Sequence, residues 1–220
     1  RLPPGSNHWF QLMPLIRKPA ETRPPSKPDG SSVLKALASA HQEERWAAAR
    51  AAAQVPGGVA ALAAALRTEH DPRVREAMFS GLAGAGTPEG IQEIIAFLRS
   101  DNANLRTGAL DALRAAAGAV HTVVPQLLHD ADPDIRILSC ELARSLPSVE
   151  AASLLCELIG REQQLNVCAA AIDVLAEVGS SDALPALAAC AQRFRDAPFL
   201  AFAVRIAIDR IHSQSTLGRD

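Results

Sequence analysis

Apolar residues recur along this chain at helical spacing, and the pattern itself repeats. From Val74, the positions 3, 4, 7 and 8 residues further on are Ala77, Met78, Gly81 and Leu82, which lie on one face of a helix. The same template fits from Leu105 (Gly108, Ala109, Ala112, Leu113) and from Ile135 (Leu138, Ser139, Leu142, Ala143). It fits again from Val167 (Ala170, Ala171, Val174, Leu175) and from Leu200 (Ala203, Val204, Ala207, Ile208). A degenerate first copy has Glu44 at the anchor, followed by Ala47, Ala48, Ala51 and Ala52. The anchors at 44, 74, 105, 135, 167 and 200 are 30, 31, 30, 32 and 33 residues apart. A second apolar stripe lies between successive copies. Its members are Val59, Leu62, Ala63 and Leu66, then Ile91, Ile94, Ile95 and Leu98, then Leu127 and Leu128. Leu154, Leu155 and Leu158 continue it, followed by Leu184, Leu187 and Ala188.

The punctuation agrees with this spacing. Asp71-Pro72 and Asp132-Pro133 read as an N-cap followed by proline at the first helical position, where its missing N–H costs nothing. Thr87-Pro88-Glu89 opens a second-type helix in the same way. Pro185 falls in the first turn after a Ser181 cap, and Pro125 is placed similarly near a helix start. Each unit is therefore a helical hairpin of about 30 residues that cannot bury both apolar faces alone, and stacking its neighbours completes the core.

His70-Asp71-Pro72-Arg73-Val74-Arg75-Glu76-Ala77 and Asp132-Pro133-Asp134-Ile135-Arg136 carry an aspartate–proline and valine–arginine signature. On these residues the chain resembles HEAT-repeat proteins, specifically the short phycobilisome-lyase type, over roughly residues 32–212. It departs from the pattern at the ends, where Glu44 replaces the apolar anchor and Cys168 and Ala201 replace the arginine. The resemblance implies an all-α fold, a right-handed α-solenoid of about five to six hairpins, with second helices lining a concave face. The expected organisation is an extended Pro-rich arm over 1–30, the solenoid over 31–212 and a tail over 213–220.

Composition narrows the function classes. Lys+Arg 22 is balanced by Asp+Glu 24, so the net charge of -2 lacks the basic excess of a phosphate-neutralising nucleic-acid binder. Aromatics are 4% and Tyr is absent, which leaves few flat walls for a conjugated ligand. No apolar run approaches the roughly 18 residues of a membrane span. Cys140, Cys156, Cys168 and Cys190 form no C-x-x-C pair and suit reduced thiols, so a cytoplasmic location is expected. The arm holds 7 of the 15 prolines together with Trp9, Phe10, Leu12, Leu15 and Ile16. Met13 reads as the natural start, with residues 1–12 as a foreign leader. The arm is expected to dock Trp9 and Phe10 on a solenoid surface of this chain or a neighbour, which offers a route to self-association.

Three sets of residues carry candidate chemistry. Arg45, Arg75, Arg106 and Arg136 form a ladder one residue past each anchor. It could fork onto anions, but as part of the repeat signature it is read as scaffold, paired with loop acids such as Asp71, Asp101 or Asp132. His41 and His70 sit at loops, while His121 and His129, about 12 Å apart along a helix, are too distant to share a zinc. Projection of the second helices puts Phe97, His129, Cys156, Glu157 and Cys190 on a row facing away from the core, with Gln92, Glu93 and Arg193 nearby. That row could hold a metal or a thiol-linked chromophore, but without ligand spacing the cysteines read as packing. Gln92, Glu93, Phe97, His129, Glu157 and Arg193 are instead taken as a partner-binding row. Gly81-x-x-Gly84-x-Gly86 reads as a helix end and turn rather than a phosphate cradle.

No catalytic, metal or cofactor-binding residues are assigned. The expected function is a non-enzymatic protein–protein interaction scaffold with a protein or peptide partner, no nucleic acid, no membrane and no cofactor. The resemblance also implies two rivals: a bilin (tetrapyrrole) lyase-like accessory protein, and a HEAT-like DNA-lesion binding protein, which would need a basic groove that the charge balance lacks.

Overall fold

The structure is a computed structural model that describes residues 29–217. These residues form twelve helices and no strand: α1 (Gly30–Ala36), α2 (Gln42–Ala52), α3 (Gly58–Leu66), α4 (Pro72–Gly84), α5 (Pro88–Phe97) and α6 (Ala103–Ala115), then α7 (Ala117–Leu127), α8 (Pro133–Ala143), α9 (Ser148–Arg161), α10 (Leu165–Val178), α11 (Leu184–Arg193) and α12 (Pro198–Leu217). A single turn of 3-10 helix, Ser181–Ala183, precedes α11. The arm with Trp9 and Phe10 lies outside the described residues. Helix α12 continues to Leu217, past the expected solenoid end at 212.

The first helices of successive units (α2, α4, α6, α8, α10, α12) each pack on the next, and each second helix (α3, α5, α7, α9, α11) packs on the first helix of the following unit. Every substantial helix contact joins elements one or two places apart in the chain. This sequential stacking is what makes the architecture a solenoid rather than a bundle. The core is the predicted stripe: Leu62, Leu66, Met78, Leu82, Ile94, Leu98, Leu113, Ile135, Leu142, Leu155 and Leu158 are all essentially sealed from solvent. Burying one such side chain stabilises the fold by about 1.5–3 kcal/mol, before the entropy of ordering it.

Local chemistry explains most of the boundaries. The side chains of Asp71, Thr87 and Asp132 accept the backbone N–H of Val74 (3.0 Å), Gly90 (3.2 Å) and Asp134 (2.9 Å), each with proline at the next position. Gly86 takes φ +64° directly after α4, so the glycine run is a turn. Where helices approach closely, glycine is required. A Cβ on Gly108 would lie 2.5 Å from the Phe79 ring, and one on Gly81 would lie 2.9 Å from the Ala49 carbonyl.

Four local expectations are corrected. Ser181 does not cap α11: the Ser180 hydroxyl accepts the Asp182 N–H at 3.3 Å and caps the 3-10 turn Ser181–Ala183, and α11 itself starts at Leu184 after Ala183, without a side-chain cap. Pro125 lies inside α7, not at its start, because the helix begins at Ala117 on an alanine-rich stretch whose periodicity is weak. In the first copy Ala47 is exposed and Ala49 is buried. Among the described residues α2 packs more extensively on α4 than on the short α1 or on α3, and the Ala49 backbone lies against Gly81 of α4. Phe97 is buried, only 3% exposed, rather than facing outward. The apolar arc of α5 is wide enough to include it, and its ring meets Phe79 edge-on at 5.6 Å under the Arg67 guanidinium.

Candidate functional site

The solenoid is locked by a polar device repeated in five loops. Ser39, Glu69, Ser100, Asp130 and Glu162 each lie six residues before the ladder position. Each accepts, through its side chain, the backbone N–H two residues ahead: His41 (3.1 Å), Asp71 (2.9 Å), Asn102 (3.2 Å), Asp132 (2.9 Å) and Gln164 (2.9 Å). Three of the four ladder arginines then reach back to the same residue's carbonyl. Nη1 of Arg45, Arg106 and Arg136 donates to the carbonyls of Ser39 (3.0 Å), Ser100 (2.7 Å) and Asp130 (2.8 Å).

Two arginines also fork forward into the next unit. Arg45 Nε and Nη2 donate to Glu69 at 2.7 and 3.2 Å, and Arg136 Nε and Nη2 donate to Glu162 at 2.7 and 3.0 Å. Arg45, Arg106 and Arg136 are thus scaffold, and the carboxylates that Arg45 and Arg136 meet are Glu69 and Glu162, not Asp71, Asp101 or Asp132. Asp71 and Asp132 are used as helix caps. Asp130 is taken by Arg99, at 3.2 Å from Nη1, and its carboxyl is held below the ordinary aspartate value by that hydrogen bond. Burial raises the Glu69 and Glu162 carboxyls, yet the arginine fork and the loop N–H groups more than offset it, and both titrate below the ordinary value. The six-residue offset was visible in the sequence as a carboxylate or hydroxyl before each arginine or its substitute.

The exposed side of the second helices is less uniform. Between α5 and α7 opens a cleft of about 480 Å³, walled by Ile91 and Gln92 on one side and by Ala119, Thr122, Val123 and Gln126 on the other. None of its lining side chains is ionisable, and none is aromatic. Small residues line the gap, with Gly118 and Ala119 in the first turn of α7. A broader hollow of about 980 Å³ beside α1 and α3 is walled by the Arg45–Glu69 pair, so it belongs to the locking device. Further along, α7 and α9 are bridged twice: His121 Nδ1 lies 3.0 Å from Glu150, and His129 Nε2 lies 3.5 Å from Glu157.

A sequence model of HEAT repeats matches residues 31–116 and 120–204. The chain belongs to the HEAT-repeat family. No curated protein sequence matches it. Among solved structures, an engineered protein from a structural genomics consortium aligns at 20% identity and a TM-score of 0.40, covering 84% of this chain and 97% of the other. A designed armadillo repeat protein aligns at 15% identity and TM-score 0.36, covering 83% and 100%. The complex of CpcE and CpcF of phycocyanin lyase from Nostoc sp. PCC7120 aligns at 16% and 0.35, covering 90% and 100%.

Within this HEAT solenoid the partner-binding row expected from sequence divides into separate neighbourhoods. Gln92 is exposed on the cleft wall, and Glu93 is half-buried beside it, 3.9 Å from Arg67. His129 and Glu157 are exposed but pair with each other across α7 and α9. Phe97 is core. Arg193 is tied to the end of α9, donating to the carbonyls of Ile159, Gly160 (3.2 Å) and Glu162 (3.1 Å). Gln126 and Thr122, which face Gln92 across the cleft, were missed by sequence reasoning because α7 was not delimited. Cys190 is buried rather than outward, and Cys156 is half-buried. Among the described residues no three His, Cys, Asp or Glu side chains converge on a metal position, and no helix is long and apolar enough to cross a membrane.

The last HEAT unit differs in one further respect. The residue before each anchor is polar in five copies (Glu43, Arg73, Asn104, Asp134, Asn166) but Phe199 in the sixth. The sixth residue after it is likewise polar (Arg50, Ser80, Asp111, Glu141, Asp173) until Ile206. Phe199, Phe202 and Ile206 stand 51%, 54% and 37% exposed along α12. A solenoid end is ordinarily closed by polar side chains.

Proposed function

We propose that this HEAT-repeat protein is a non-enzymatic interaction scaffold that holds an uncharged, apolar peptide segment in the cleft between α5 and α7. The observation that carries the reading is the character of that cleft: a concave volume in the range of ligand sites, without one ionisable side chain on its walls. A charged segment would lose its hydration there with no counter-charge in return. A neutral one can place an apolar side chain against Ile91, Ala119 and Val123 while Gln92 and Gln126 supply amide donors and acceptors from opposite walls to its backbone. The absence of aromatic walls disfavours a flat tetrapyrrole, and the absence of Lys and Arg disfavours nucleic acid. The four unpaired cysteines fit a reducing compartment such as the cytoplasm.

The test is peptide-display selection on the purified protein, followed by measurement of the selected peptides on a Gln92→Arg, Gln126→Arg double variant. Both glutamines are exposed, so the fold tolerates the change. Neutral apolar peptides should be enriched and should lose at least about tenfold in affinity on the variant, roughly 1.4 kcal/mol. Selection of strongly acidic or basic peptides, or equal binding by the variant, refutes the assignment.

A further inference from the structure

The α5–α7 cleft has a chemical match within this chain. Between Arg1 and Arg17 no Asp, Glu, Lys or Arg occurs, and the run ends in Trp9-Phe10-Gln11-Leu12-Met13-Pro14-Leu15-Ile16. The cleft walls likewise carry no ionisable side chain: Ile91 and Val123 offer apolar surface, while Gln92, Thr122 and Gln126 offer neutral hydrogen-bonding groups. A segment of this composition gives up no charge hydration on entering about 480 Å³ of such space. Pro14 has no N–H to leave unpaired there, and the flanking Pro4 and Pro19 restrict the free chain, so ordering the segment costs less. The reach is sufficient. Ile16 precedes Asp29 by 13 residues, which span up to roughly 43 Å when extended. Helix α1 lies beside α3, and α3 packs on α5, so the cleft is a few helix spacings away, about 20–30 Å.

Charge favours the same placement. Residues 29–217 hold 22 acidic side chains against 16 basic ones, whereas residues 1–28 hold five basic and one acidic. Arg17 and Lys18 follow the apolar run directly, and Glu89 stands exposed in the first turn of α5, beside Pro88 of the cleft wall. The exposed apolar face of α12 is the rival surface, but Arg205 lies over its Phe202 ring at 5.1 Å and meets Arg17 and Lys18 with like charge. We propose that in the free protein the α5–α7 cleft is filled by this chain's own segment Trp9–Ile16, an internal ligand that an outside peptide must displace. This rests on the reading of the cleft as a site for a neutral, apolar segment. Met13–Ile16 remain in a chain that starts at Met13, so the occupant does not depend on the leader. Tethering sets the effective concentration of the segment on the order of 1 mM. With an intrinsic Kd of about 0.1 mM it fills the cleft about nine-tenths of the time and weakens an outside ligand about tenfold.

The probe is a fluorescent synthetic peptide with the sequence of residues 7–18, titrated into the full chain and into a full chain carrying Leu15→Asp and Ile16→Asp. Both substitutions precede α1 and leave the twelve helices unaltered. The substituted chain, its own segment excluded from the cleft, should bind the probe about tenfold more tightly. Equal affinities, or no binding to either chain, overturn the proposal. The place of docking is read by replacing Leu15 with benzoylphenylalanine, irradiating the dilute full chain and mapping crosslinks by peptide mass spectrometry. Crosslinks within one chain to residues 88–92 or 118–126 are expected, and Gln92→Arg with Gln126→Arg should reduce them at least tenfold. Crosslinks to α12 or to a second copy, or none at all, overturn the proposal. Display-selected peptides that still depend on Gln92 and Gln126 would in that case leave the cleft assignment standing, so the two failures are told apart.

Discussion

Glu162 is a carboxylate that ties two adjoining units together, and Glu162→Gln tests that directly. Its side chain is 5% exposed and that of Arg136 is 12% exposed, so the fork between them operates largely away from water. Oε1 accepts the N–H groups of Gln163 and Gln164, both at 2.9 Å, besides Arg136 Nη2 at 3.0 Å, while Oε2 takes Nε at 2.7 Å. Glutamine preserves the shape but turns one acceptor into a donor, which must face either the guanidinium or the loop amides. Breaking one partner of a buried ion pair costs about 3–5 kcal/mol. Arg136 retains the carbonyls of Asp130 and Ala131 at 2.8 and 3.1 Å, which places the expected loss near the lower end, about 3 kcal/mol. The assay is urea unfolding at pH 7 followed by far-UV circular dichroism, repeated toward acid. Burial raises this carboxyl, but Arg136 and the two backbone N–H groups lower it further, so the folded value lies below the ordinary 4.5. Its stabilisation is therefore fully present above the unfolded value and lost as pH falls through the folded one. The gap between the parent and the variant should be constant at neutral pH and should narrow below about 4.5. A cost under about 1 kcal/mol, or a gap that does not close in acid, refutes the reasoning.

Two further outcomes follow from packing and surface charge. Gly108→Ala sets a methyl 2.5 Å from the Phe79 ring, which is itself seated on Phe97, so the ring must move; a loss of about 1–3 kcal/mol is expected in urea unfolding, and an unchanged midpoint would show that α4 and α6 separate freely. Arg144 ties Glu141 (3.2 Å), Asp173 (2.7 Å) and Glu177 across the outer face of α8 and α10; Arg144→Gln should cost about 1 kcal/mol at low salt, and the difference should shrink by half or more in 1 M NaCl, where the Debye length falls to about 3 Å.

The stacked hairpins, the unit length and the helix starts at Pro72, Pro88 and Pro133 were determined by the sequence itself, because helical periodicity and N-cap chemistry act within one or two turns of chain. The scaffold role of Arg45, Arg106 and Arg136 was equally legible from the recurrence of the ladder. Their partners were not. Glu69 and Glu162 lie 24 and 26 residues from Arg45 and Arg136, and only the rise and rotation from one unit to the next decide which loop side chain meets the fork. The same holds for Phe97, whose position on a broad apolar arc became core once Phe79 and Arg67 closed over it. It holds too for the α5–α7 cleft, lined by Gly118 and Ala119, which no local pattern encodes. Short-range geometry is written in the order of residues, whereas contacts between stacked units arise only when all the units are in place.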